Sequence, residues 1–236
     1  MSATASIIAP SASATTVAPI VAVVGLHGGA GTSTVAALLA YASAGRAALC
    51  DVGGPTATLW RRADSGHSLA AAADALARDA LQPPLAVQGP GETTVVAGRP
   101  QLLPGHDVTE GMRTILGQAA TRHALVLVDC GCRSHPAQAS ALALCDQVVW
   151  VADLTVIAID QITAVLSAGH DGAPARQYIA ARGAAGRSHL KDLRRVASES
   201  VAPIALLEDV GDGRDLDQAS VDAGMGLDAL IAEITR

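Results

Sequence analysis

Short, unbroken apolar runs alternate along the chain with helix-length segments that mix apolar and polar positions. Runs of the first kind read as strands buried on both faces, and the alternation as a parallel sheet covered by helices on both sides. Strands are predicted at Ile20 to Gly25, Ala47 to Asp51, Thr93 to Ala97, Ala124 to Asp129, Gln147 to Val151 and Ala202 to Leu207, with a short, weak one at Tyr178 to Ala181. Helices are predicted over Ser33 to Ala44, Ser68 to Ala80, Val108 to Arg122, Ala137 to Leu144, Leu154 to Leu166, Arg187 to Glu199 and Leu227 to Thr235. Ser68 and Asp107 are available as N-caps. Pro55 to Arg62 reads as a turn or short helix, and Pro83 to Gly91 is broken by prolines and glycines.

A chain of 236 residues suits one α/β domain, a single doubly wound, mainly parallel sheet with helices on both faces. That domain is expected over residues 19–236. Residues 1–18 lack a basic segment and a continuous apolar segment, so they read as a disordered leader and not as a signal peptide. No stretch has the 18 or more apolar residues of a membrane span, and the protein is expected to be cytoplasmic. Aromatic residues are 2% of the chain and phenylalanine is absent, so the core must be aliphatic. Trp60, Trp150, Tyr41 and Tyr178 are its only large rings.

A net charge of -6 argues against a nucleic-acid binder driven by overall charge, while leaving room for a local basic patch. Arg187, Lys191, Arg194 and Arg195 recur at helical spacing and form one such stripe. It is consistent with a weak DNA contact, though Asp192 and Glu199 beside it favour a solvated helix face. Cys50, Cys130, Cys132 and Cys145 have no framework spacing and read as reduced core thiols. Cys130 and Cys132 supply two ligands where a zinc site wants four. Seven scattered histidines show no metal-ligand spacing, and no G-x-S-x-G elbow is present. The acidic residues from Glu208 to Asp222 lack the calcium-loop pattern and read as an exposed turn.

The segment that carries chemistry is PIVAVVGLHGGAGTSTV, Pro19 to Val35, an apolar run feeding a glycine-rich loop and then a helix start. In such a loop, backbone N–H groups and the helix N-terminus attract phosphate, and glycines allow close approach. The candidate binding residues are His27, Gly28, Gly29, Ala30, Gly31, Thr32, Ser33 and Thr34. The Walker A pattern wants a lysine after the last glycine. Here Thr32 follows Gly31, and the only lysine of the chain is Lys191.

LHGGAGTST resembles the deviant Walker A motif of ParA/MinD-type ATPases, with His27 and Thr32 at the family's two lysine positions. LVLVDCG, Leu125 to Gly131, resembles its Walker B strand and keeps Asp129. After the second strand the family has two aspartates one residue apart; this chain keeps Asp51 and has Gly53 at the water-positioning place. Late in the family a strand ends in an adenine-reading asparagine, often followed by arginine, where YIAARG offers Ala181 and then Arg182. The resemblance implies ATP or ADP with Mg²⁺, held by Ser33, Asp51 and Asp129 if nucleotide binds.

A lysine ammonium about 4 Å from a phosphate oxygen is worth roughly 4 kcal/mol at an effective dielectric near 20. The expected protein is therefore a pseudo-ATPase acting through protein partners, in partitioning, conjugation or secretion machinery. Two alternatives are a slow ATPase that borrows an arginine as substitute cation, and a nucleotide-independent DNA-associated protein. An arginine head within reach of Gly28 to Ser33 favours the ATPase; a loop closed by its own side chains favours the scaffold. In the family the first lysine reaches across a dimer, and His27 lacks that reach, so any homodimer is expected to form without ATP. The C-terminal segment places Leu227, Leu230, Ile231 and Ile234 on one side, with Asp228 and Glu233 on the polar side, and reads as packed on the domain and not on a membrane.

Overall fold

A computed structural model describes residues 17–52, 69–77, 86–88, 92–96, 108–133, 136–156, 158–167, 174–183, 187–200, 204–207 and 216–236. In chain order the elements are β1 (Ile20–Gly25), α1 (Thr32–Ala42), β2 (Ala47–Asp51), α2 (Leu69–Ala77), β3 (Ala86–Gln88) and β4 (Thr94–Val96). They continue with α3 (Thr109–Ala120), β5 (Leu125–Asp129), α4 (Pro136–Leu142), β6 (Gln147–Asp153) and α5 (Ile159–Ser167). The last are β7 (Arg176–Arg182), α6 (Arg187–Ser200), β8 (Ile204–Leu206) and α7 (Leu216–Ile234). The strands form one eight-stranded sheet ordered β3-β4-β2-β5-β1-β6-β7-β8. All neighbours are parallel except β3 and β4.

The strand sequences are apolar throughout because both faces are covered. Val21, Val23, Leu49, Leu125, Leu127, Val149 and Val151 pack beneath α1 and the end of α7. The alternate positions Ala22, Val24, Val126, Val128, Val148 and Trp150 pack with Leu69, Met112, Leu116 and Ala141 on the opposite face. A third cluster joins Ile179 and Ala181 to Ile162, Leu193 and Val196. Trp150 is fully buried and donates its indole N–H to Gln177 Oε1 at 2.9 Å. The Arg133 guanidinium lies 5.1 Å from the centre of its ring.

Several predicted boundaries are corrected. The proline-broken stretch contains β3, whose Val87 pairs with Val95. The Tyr178 segment is a full seven-residue strand paired on both sides. The helix expected from Leu154 starts at Ile159, because Asp153 Oδ1 accepts hydrogen bonds from both Thr155 N and Thr155 Oγ1 and turns the chain out of helical register. The last helix starts at Leu216, well before Leu227, and bends at Gly224 (φ 49°, ψ -140°). Its predicted apolar side is packed: Leu227, Leu230 and Ile234 are buried and Ile231 packs against them. Three cysteines are buried thiols as expected, but Cys132 is exposed. Burial pushes Cys50 up to about 12, with the neighbouring Asp51 charge adding to it. Residues 1–16 of the leader, Pro55 to Arg62 with Trp60, Ser68, Asp107, and Glu208 to Asp215 of the acidic segment lie outside the described residues, while Asp217 and Asp222, expected in an exposed turn, belong to the helix α7.

Candidate phosphate-binding site

β1 lies between β5 and β6, so the loop that leaves its C-terminal end is flanked by the ends of those strands and of β2 and β7. The first turn of the loop is set by backbone: Leu26 N donates to Val151 O at 2.9 Å and Gly25 N to Gly131 O at 2.7 Å. Gly29 (φ 80°) and Gly31 (φ 84°) adopt the left-handed conformation that strains residues with a Cβ. Gly31 is the N-cap of α1, and no side chain caps that helix. Val35 N donates to Gly31 O at 2.9 Å, so the N–H groups of Thr32, Ser33 and Thr34 precede the regular helical ladder.

Each predicted loop residue has a definite place. His27 Nδ1 lies 2.8 Å from Gly28 O, while its Nε2 is buried without a hydrogen-bond partner among the described residues. An Nδ1–H donating to that carbonyl leaves Nε2 as the ring's lone-pair nitrogen. Gly28 and Gly29 are exposed, and a Cβ on either would meet nothing within 4 Å. Ala30 is buried in the core beneath α1. Thr32 and Thr34 are buried, and Ser33 between them is partly exposed. The Thr32 hydroxyl is folded back on the root of the loop, where a Cβ on Gly25 would overlap it.

The sheet register brings the two predicted carboxylates together. Asp51 pairs with Asp129 across β2 and β5, and Val23 of β1 pairs with Asp129 on the other side. Both are fully buried. Because side chains alternate along a strand, Asp51 and Asp129 share the face of Leu49 and Leu127, which is the face that carries α1. Asp129 Oδ1 accepts from Gly131 N at 3.0 Å, and Asp129 O from Val52 N at 3.0 Å. Carboxylate and hydroxyl oxygens are the donors that suit Mg²⁺. Among the described residues no three His, Cys, Asp or Glu side chains cluster to hold a metal. Asp51 and Asp129 offer carboxylate oxygens and Ser33 a hydroxyl of the kind such a cation takes, with phosphate and water as its remaining ligands.

The opposite flank was largely unseen in the sequence. Asp153 pairs with Arg182 across β6 and β7, and the same alternation puts both on the α1 face, in line with Val151 and Ala180. The Asp153 carboxyl is held below its ordinary value, first by the Thr155 hydroxyl and then by the Thr155 N–H, the Arg182 charge and His27, against some opposing desolvation. Arg182 Nη1 donates to Ala30 O at 3.3 Å. Its Cζ lies 2.7 Å from where a Cβ on Gly31 would stand, so the guanidinium rests directly on the glycine. Ala181, at the expected adenine-reading position, is buried in the sheet against the α5 and α6 side. Gly53 lies outside the described residues. Of the basic stripe, Lys191, Arg194 and Arg195 are exposed on α6, whereas the side chain of Arg187 lies outside the description. Among the described residues no helix is long and apolar enough to cross a membrane.

No protein-family model matches the chain, and no curated protein matches it in sequence. Its structure is similar to a ParA family ATPase from Chlorobium tepidum TLS, at 15% identity and a TM-score of 0.67, covering 92% of this chain and 96% of that one. It is similar to a substituted form of Cyanothece McdA in complex with ATP, at 12% identity and a TM-score of 0.68, with coverage of 92% and 96%. It is also similar to the Aquifex aeolicus MinC:MinD cell division protein complex, at 13% identity and a TM-score of 0.64, with coverage of 93% and 94%. The fold is that of the ParA/MinD-type P-loop ATPases.

Proposed function

We propose that the protein is a ParA/MinD-like pseudo-ATPase, a phosphate-loop protein that turns nucleotide over very slowly or not at all and acts by binding a protein partner. Thr32 is the observation that carries this reading. It occupies the lysine position, and its hydroxyl is buried against the root of the loop. The helix that normally presents the transition-state cation therefore presents none. Phosphoryl transfer depends almost wholly on positioning and charge stabilisation, so this loss falls mainly on turnover. Gly53, in place of the water-positioning aspartate, removes a second contribution of the same kind. Any homodimer of the chain forms without ATP, since His27 has no cationic reach across an interface. Partitioning, conjugation or secretion machinery is the setting, by analogy with the fold's relatives.

Phosphate release from Mg-ATP by the purified protein tests the reading. The expected result is no release above the rate of the Ser33→Ala variant. Turnover that disappears in Ser33→Ala overturns it and makes the second reading, a slow ATPase with a substitute cation, the better one. That second reading is favoured by the Arg182 head at the loop.

A further inference from the structure

We infer that Arg182 is the cation of this phosphate loop, supplied in cis from β7 to hold the diphosphate-bearing part of a nucleotide. The inference rests on reading residues 26–31 as a phosphate loop, but it concerns binding and not turnover. β6 lies between β1 and β7, so the Arg182 side chain must cross the end of β6 to reach Ala30 O at 3.3 Å. Gly31 makes the crossing feasible, because a Cβ there would overlap the guanidinium. Gly31 thus serves two needs at once, a left-handed backbone (φ 84°) and a seat for the arginine. The Ala30 carbonyl orients a planar group whose N–H fork matches phosphate oxygens.

Three neighbouring features suit a magnesium-bound phosphate group at this place. The loop beside the guanidinium is open at Gly28 and Gly29. The uncapped first turn of α1 aims backbone N–H groups at the same region. His27 Nε2 is buried there without a hydrogen-bond partner among the described residues, and a water bound to the magnesium of an incoming polyphosphate would donate to it. Against these stands the charge of Asp153, whose carboxylate is already engaged by Thr155. With Asp51 and Asp129 also buried on the α1 face, a polyphosphate is expected to enter with Mg²⁺ and not alone. Ala181 offers no hydrogen bond to a base, so the phosphates dominate recognition.

Titration calorimetry with Mg-ATP and, separately, Mg-pyrophosphate decides the matter, using the full chain and its Arg182→Ala and Arg182→Lys variants. Arg182→Ala is expected to weaken binding of both ligands about a hundredfold, as for loss of a charged hydrogen bond. Arg182→Lys, which keeps the charge and loses the fork, is expected to fall between the two. Comparable affinities for the two ligands identify the phosphates as the recognised group, and binding of ATP without binding of pyrophosphate overturns recognition through the phosphates. Thermal unfolding of each variant confirms that it is folded. If Arg182→Ala binds as well as the wild type or better, the guanidinium is a plug and the inference is overturned, while the phosphate-loop reading stands. If neither protein binds at millimolar ligand, both are overturned.

Discussion

The two flanks of the loop are built differently. On the β2 and β5 side, Asp51 and Asp129 are fully buried, in register with each other, with Asp129 tied to the backbone of the following turn. On the β6 and β7 side, Asp153 and Arg182 are partly exposed and engage a side chain, Thr155, and a carbonyl across the site, that of Ala30. Both pairs are in sheet register, but the first is sealed in the core and the second stands at its margin. The second is partly open to solvent and held by side-chain hydrogen bonds, so it is where function can diverge while the fold stays the same.

Trp150 is the mechanical link between the flanks, since its strand β6 separates β1 from β7 and its ring meets Arg133 and Gln177. Trp150→Ala should therefore produce the largest effect, a loss of about 3–5 kcal/mol in denaturant unfolding. A cost below about 1 kcal/mol would mean the flanks do not share a packed core at this point. Within the loop, Gly31→Ala is expected to cost about 1–3 kcal/mol through its left-handed backbone. Gly28→Ala, in open space, should stay within about 0.5 kcal/mol. Equal effects at the two glycines, measured by thermal unfolding, would contradict both the left-handed backbone at Gly31 and the close seat of Arg182.

The smallest effect belongs to the Asp153 and Thr155 pair. The folded-state value of Asp153 is depressed, so its contribution to stability is present above the ordinary carboxylate range and is lost as pH falls through the folded value. Thr155→Val should raise the Asp153 titration toward its ordinary value, readable by NMR of the carboxyl carbon. An unchanged titration would show that the Thr155 hydroxyl is not the main influence.

What could be read from sequence follows the same division. The β1, β2, β5 and β6 strands were legible because each is a continuous apolar run covered on both faces, and Asp51 and Asp129, at the ends of β2 and β5, came with them, whereas Asp153 lies beyond the predicted end of β6. β3 was hidden by brevity and by flanking prolines. β7 was underestimated because its ends, Arg176, Gln177 and Arg182, are polar, yet Gln177 serves Trp150 and Arg182 serves the loop. The contact between Arg182 and Ala30 joins residues 152 positions apart. No local pattern encodes such a pairing; it exists only once the strand order is known. Leu154 misled in the opposite way, since its apolar side chain suggested a helix that the Asp153 turn delays.

The bend at Gly224 splits α7 into two pieces, and the second, with Leu227, Leu230 and Ile234, closes the apolar layer over Val35, Leu38 and Leu39 of α1. These partners are far apart in the chain, so α1 is synthesised long before the piece that covers it. Until the second piece has left the ribosome, the helix that begins at the phosphate loop keeps an uncovered apolar side. The loop's support is thus incomplete until the segment through Ile234 has emerged, and a nascent chain stalled before Leu227 would offer chaperones the α1 surface that this segment covers.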